Sequence, residues 1–254
     1  MAQAASAIQN RPAWVDLATS DPAAARTFYS TVLGWQIEVN PDPQYGGYAL
    51  ARVGGQDAAG IGGTQSPDQP TAWSFYVGSD DLGATAERVK AAGGAVIAEP
   101  FAVGDQGRMA VFRDPTGAVI SAWEPARMGG FQTEGPNAFG WAELNARGVD
   151  KALPFYREVF GWTAKTTPSE PQPYTEFQLD GTSVAGALEM SPELPGGIPS
   201  YWMVYFTVDD VDRANRVALD AGGRQVVVPQ DFPGGRFSIV SDPQGAMFGL
   251  LRVR

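Results

Sequence analysis

Two short segments carry the residues best suited to chemistry. Trp14-Val15-Asp16-Leu17 recurs 127 residues later as Trp141-Ala142-Glu143-Leu144, so an acid follows an indole by two positions each time. In an extended strand, residues two apart share a face. A carboxylate held beside an indole in a concave apolar site can act as a general acid or base. The same spacing also suits a carboxylate bonded to backbone or to an inward Arg, fastening two elements together. Tyr48 and Tyr174 occupy equivalent places before the glycine-rich stretches Gly54 to Gly63 and Gly181 to Gly186. A phenol there can donate to a carbonyl oxygen, stack on a ring, or close a core edge.

The residue inventory narrows that chemistry. The 254 residues include no Cys and no His, which removes thiolate nucleophiles, disulfides, imidazole bases and His-containing metal sites. Acid–base work therefore falls to Asp, Glu, Tyr or Lys. Lys and Arg total 18 against 28 Asp and Glu, a net charge of −10, with no basic run to track nucleic acid or an anionic membrane. Neither a basic, apolar leader nor a membrane-length apolar stretch is visible, so a cytoplasmic protein is expected.

The elements that position these residues follow from the repeat. The offset that links the Trp segments also carries Phe28-Tyr29 to Phe155-Tyr156 and Gly34-Trp35 to Gly161-Trp162. Ala92-Gly93-Gly94 maps to Ala221-Gly222-Gly223, and Asp114-Pro115-Thr116-Gly117 to Asp242-Pro243-Gln244-Gly245. Two homologous halves are expected at 1–127 and 136–254, joined by a linker at 128–135 with neither helical nor strand period. Within each half the pattern runs strand, helix, three strands, twice. Asp21-Pro22 supplies an N-cap and first-turn proline, Phe28, Tyr29, Val32 and Leu33 fall at helical spacing, and Gly34 stops the helix. The fold class is α+β, with four βαβββ units.

Those four units, with Phe-Tyr ahead of Leu-Gly-Trp, Ala-Gly-Gly after the second helix and the Asp-Pro-x-Gly tail, resemble the vicinal oxygen chelate superfamily. That group includes glyoxalase I, bleomycin-resistance proteins and extradiol dioxygenases, and the likeness is nearest to its two-domain actinobacterial glyoxalase-like or hydroxylase branch. The resemblance implies two tandem cup-shaped domains, each able to hold a divalent metal on its first and last strands. The family's ligand positions match Trp14, Trp141, Ser74, Met203 (or Tyr201), Ser121, Gly249, Gly62 and Leu188 or Glu189. At most one carboxylate remains among them, so no metal and no other cofactor is expected, and glyoxalase I chemistry goes with the metal.

Other candidates surround the acids. Trp14 and Trp141 stand where a ligand would otherwise meet a metal and suit stacking on a planar guest; Trp123 is grouped with them. Trp35 and Trp162 are assigned to packing. Arg52 replaces Gln178 of the other half, which suggests divergent ligand preference. The glycine-rich loops Phe101 to Arg108 and Phe232 to Arg236 could be lids presenting Phe101, Arg108, Phe232 and Arg236 to a ligand, or plain connectors with surface ion pairs.

Three functions remain open. One is a metal-independent tailoring enzyme of polyketide-type secondary metabolism, in which Asp16 or Glu143 moves a proton while Tyr48, Tyr174 or an Arg polarises the oxygen of a hydrophobic aromatic or carbonyl compound. Another is a binding protein that sequesters an antibiotic. The last is a scaffold with vestigial cups. The expected partner is a small hydrophobic or aromatic molecule, neither nucleic acid nor membrane, and the expected state is a monomer or weak homodimer.

Overall fold

A computed structural model describes residues 8–131, 134–168 and 172–254. Gln132 and Thr133 of the expected linker lie outside the described residues. The first half runs β1 (Pro12–Thr19), α1 (Pro22–Leu33), β2 (Gln36–Val39), β3 (Ala49–Val53), β4 (Gln56–Gly63), β5 (Ala72–Gly78), α2 (Leu82–Ala91), β6 (Ala95–Val103), β7 (Gly107–Arg113) and β8 (Val119–Pro125). The second repeats it: β9 (Phe139–Ala146), α3 (Val149–Phe160), β10 (Thr163–Thr167), β11 (Tyr174–Leu179), β12 (Thr182–Glu189), β13 (Tyr201–Thr207), α4 (Val211–Asp220), β14 (Arg224–Phe232), β15 (Gly235–Ser241) and β16 (Met247–Val253). Each half forms one eight-stranded sheet, in the orders β2-β3-β4-β1-β5-β8-β7-β6 and β10-β11-β12-β9-β13-β16-β15-β14. The four βαβββ units are those read from the repeat.

Local chemistry accounts for the helix ends. The Asp21 carboxylate accepts the backbone N–H groups of Ala23 and Ala24 at 3.1 and 3.0 Å, and Gly34 closes α1 at φ +65°, a left-handed conformation that glycine adopts without a Cβ clash. α3 has no capping side chain of its own, because Gly148 stands at its N-cap. Glu189, at the end of β12, supplies the cap instead: its two carboxylate oxygens accept the N–H groups of Gly148 and Val149 at 2.7 and 2.8 Å.

The chain divides into two compact units, each drawn from both halves of the sequence. One comprises Val15–Ser74, Phe131–Gly140 and Met203–Arg254. In its core Tyr29 donates to Asp242 Oδ2 at 3.1 Å and accepts from the Trp73 indole at 2.9 Å, while Asp242 Oδ1 caps the turn through Gln244 and Ala246 N–H. Trp35 stacks on Tyr29 at 5.7 Å and donates to the Asn137 carbonyl at 2.7 Å.

The other unit comprises Met1–Trp14, Phe75–Gly130 and Trp141–Trp202 and uses the same device with the halves exchanged. Tyr156 donates to Asp114 Oδ2 at 2.8 Å and accepts from Trp202 at 2.9 Å, and Trp162 donates to the Asn10 carbonyl at 2.7 Å. Asn10 and Asn137, whose carbonyls accept these indoles, both have positive φ, 57° and 65°. Both Trp35 and Trp162 are buried, as their assignment to packing requires. Burial pushes the Tyr29 and Tyr156 phenols well above the ordinary tyrosine range, and the facing Asp242 and Asp114 push them further. They are structural donors.

Candidate functional site

β9 sets Trp141, Glu143 and Asn145 on one face by simple alternation, between the buried Ala142, Leu144 and Ala146. The neighbouring strand β12 runs parallel and places Gly186 opposite Glu143; β11, antiparallel on its other side, places Glu176 opposite the same glycine. Tyr174 begins β11 and lays its ring across Gly186. A Cβ there would overlap the phenol oxygen and would also stand 2.8 Å from Trp141 Nε1. The glycine is therefore the floor of the site, needed for close approach.

Over that floor the polar groups form a chain. The Trp141 indole N–H donates to the Tyr174 oxygen at 2.8 Å, the Glu143 charge acts on the Tyr174 phenol, and Asn145 Nδ2 donates to Glu143 Oε1 at 3.3 Å. Glu143 is buried, at 9% exposure, where a carboxylate must be hydrogen-bonded to persist. Burial and then the Glu143 charge push the Tyr174 phenol far above its ordinary range, and the same two causes raise Tyr201. Tyr174 is thus a neutral donor at any physiological pH. Glu176, on the other flank of Gly186, accepts from Ser183 Oγ at 2.6 Å.

The first half repeats the arrangement with different residues. Asp16 stands opposite Gly60 on β4, and Leu50 of β3 faces that glycine from the other side. The Tyr48 hydroxyl lies over Gly60, again where a Cβ would be, and donates to Asp16 Oδ2 at 3.4 Å. Trp14 is buried, at 2% exposure. Arg52 is fixed by Glu38 at 2.7 Å and Asp57 at 2.8 Å.

The remaining expected residues separate. Phe101, Met109 and Trp123 are register partners across β6, β7 and β8, so they share one face; Phe101 is exposed and Trp123 is buried, with its indole donating to the Met128 carbonyl. Phe232 packs edge-on against Phe237 at 6.0 Å. The two loops expected as lids are corrected: most of 101–108 and 232–236 belongs to antiparallel hairpins joined by tight turns. Both arginines are correspondingly engaged with the helix side. Arg108 pairs with Glu124, whose carboxylate also accepts the Leu82 N–H at the start of α2. Arg236 makes a bidentate pair with Asp212 on α4, at 2.7 and 2.8 Å. Neither presents its guanidinium to the face that carries the acids.

The donor set does not fit the metal of the resembled family. Indoles at Trp14 and Trp141 offer an N–H and no lone pair to an ion. At Gly249, a Cβ would run into the Tyr205 ring, and Glu189 is occupied in capping α3. Among the described residues no three Asp or Glu side chains converge as a metal site. The sequence reading missed Asn145 and Tyr205. Asn145 had a signal, its place two residues beyond Glu143 on the same face, whereas Tyr205 becomes visible only once its register with Gly249 is known.

Comparison with known proteins agrees with this architecture. The CFP32 protein of Mycobacterium tuberculosis, which bears a glyoxylase name, is 38% identical over 251 residues, covering 96% of this chain and 95% of that protein. The anthracycline biosynthesis protein DnrV of Streptomyces peucetius is 34% identical over 258 residues, covering 96% and 93%. The Mn(II)-bound glyoxalase from Novosphingobium aromaticivorans superposes with a TM-score of 0.67 at 18% identity, covering 96% of this chain and 82% of that one. The 2,3-dioxygenase LapB from Pseudomonas sp. KL28 gives 0.67 at 14%, covering 95% and 91%; these two likenesses concern the fold alone. No helix among the described residues is long and apolar enough to cross a membrane. The family model described as Glyoxalase/Bleomycin resistance protein/Dioxygenase superfamily matches residues 11–121 and 138–250, and the chain belongs to that superfamily.

Proposed function

We propose that this protein is a metal-independent tailoring enzyme that moves a proton on a hydrophobic aromatic ketone, in secondary metabolism of the polyketide type. The observation that carries the reading is the chain from Trp141 through Tyr174 to Glu143, a buried carboxylate beside a phenol that stays protonated. A carboxylate takes a proton from carbon beside a carbonyl, and a neutral phenol stabilises the oxygen where charge develops. Asp16 and Tyr48 form the corresponding pair in the first half. Trp141, half-buried, supplies a ring for a planar guest, whereas Trp14 is buried in packing. The names of DnrV and of the related DauV protein of a Streptomyces species support a place in antibiotic biosynthesis, and the missing donor set supports chemistry without a metal.

The test uses chelator-treated protein and α-tetralone, a small aromatic ketone with exchangeable hydrogens at C2, in D2O. Deuterium entering C2 faster than in protein-free buffer supports the enzyme. Bound α-tetralone that gains no deuterium beyond the buffer rate would instead favour sequestration without turnover.

A further inference from the structure

We propose that Trp141 and Asn145 are positioning residues that make Tyr174 and Glu143 the chain's principal proton-handling pair, so that the second half carries the reaction. The inference rests on the acid–base reading above and assigns it to one of two repeated sites.

The Tyr174 oxygen already accepts the Trp141 N–H at 2.8 Å, so its own hydrogen is turned away from the indole, and the Glu143 charge acts on the same phenol. Asn145 Nδ2 approaches the same carboxylate at 3.3 Å and the main-chain oxygen of Glu143 at 3.4 Å. Asn145 of β9 therefore bonds a buried carboxylate whose charge also acts on the Tyr174 phenol of β11. Neighbours so placed restrict the rotamers open to the carboxylate. The nearby Glu176 is held by Ser183, and Tyr201 is the further phenol within reach of the Glu143 charge.

The first half lacks parts of this frame. Ala18 stands at the position of Asn145, and Asp16 is one methylene shorter than Glu143 and less buried. Arg52, tied to Glu38 and Asp57, brings a guanidinium where the second half has Gln178. The acid is repeated, but its length and the neighbouring Asn are not.

The step assigned to the pair balances without a co-reactant other than solvent. The Glu143 carboxylate removes the proton from the carbon next to the carbonyl. The C–H electron pair becomes the C–C π bond, and the carbonyl electrons move to oxygen; Glu143, now protonated, no longer attracts the Tyr174 hydrogen, which turns to that oxygen. Exchange of the Glu143 proton with D2O and reversal of the step leave deuterium on carbon.

The experiment follows deuterium at C2 of α-tetralone with full-length, chelator-treated protein, each variant first shown folded by near-UV circular dichroism. Glu143→Gln is expected to slow exchange by about 100-fold and by at least about tenfold more than Asp16→Asn. Trp141→Phe and Asn145→Leu are expected to lower kcat about tenfold with KM held, as loss of an orienting contact does. Asn145→Leu should also shift the acid limb of the pH profile upward, since removing a donor disfavours the carboxylate. A larger loss in Asp16→Asn than in Glu143→Gln, or unaltered kcat and pH profile in both positioning variants, overturns the proposal. If wild-type protein binds α-tetralone without exchanging it, the acid–base reading fails by itself. Carboxyl 13C NMR then decides the positioning claim: a rise in the Glu143 titration midpoint in Asn145→Leu supports it, and no change overturns it.

Discussion

The hydroxyl of Tyr174 occupies the space above Gly186 that any other residue would fill with a Cβ. This single relationship ties backbone to site, because in that position the phenol accepts the Trp141 N–H and feels the Glu143 charge. Gly186→Ala should displace the ring and break the 2.8 Å indole bond. Overpacking of this kind costs about 1–3 kcal/mol. Thermal unfolding, compared with Gly196→Ala at an open position, measures the cost, and the Trp141 indole 15N–1H resonance reports the broken bond.

Asp242 gives stability a specific pH dependence. Burial raises its carboxyl above the ordinary Asp range, while bonds from the turn and from Tyr29 oppose that rise. A folded-state pKa above the unfolded value, about 3.9, means that the folded form binds the proton more tightly. The group's stabilising contribution is full below the unfolded pKa and is lost as pH rises through the folded pKa. Denaturant unfolding of wild type against Asp242→Asn across the acid range should show the wild type losing ground to the variant as pH increases. A difference independent of pH would contradict the assignment.

Glu189→Ala should weaken α3 from its first turn. Two N–H groups lose their carboxylate partners, and loss of a cap costs about 1 kcal/mol. Hydrogen exchange at Gly148 and Val149 should accelerate more than at the far end of the helix, around Phe160.

Cutting the backbone between the halves should leave them associated. Each compact unit contains strands and helices from both, joined by the buried Tyr29–Asp242 and Tyr156–Asp114 bonds. A protease site inserted between Gly129 and Gly130 should, after cleavage, give two fragments that co-elute on size exclusion. Fragments that separate under native conditions would refute this.

Much of the fold was legible because the repeat supplies each element more than once. Asp21-Pro22 and Gly34 bounded α1 correctly, and alternation around Trp14 and Trp141 placed Asp16 and Glu143 on their strand faces. The exchange between halves was not legible, since Tyr29 and Asp242 are 213 residues apart and neither local pattern names the other. The loop arginines were misplaced for a related reason. Glycines at 104, 107, 234 and 235 suggest open loops, but the register of the hairpins turns Arg108 and Arg236 towards α2 and α4. Register is set by pairing over the whole hairpin, and a shift of one residue reverses every side chain.

The central claim is that a carboxylate beside a phenol transfers protons here without a metal. The most direct measurement is the rate of deuterium incorporation at C2 of α-tetralone by chelator-treated protein, wild type against the double variant Asp16→Asn, Glu143→Gln. The account predicts exchange by the wild type and a rate at the buffer background for a folded double variant. Full exchange by the double variant, or exchange by the wild type only after a divalent metal is restored, would contradict it.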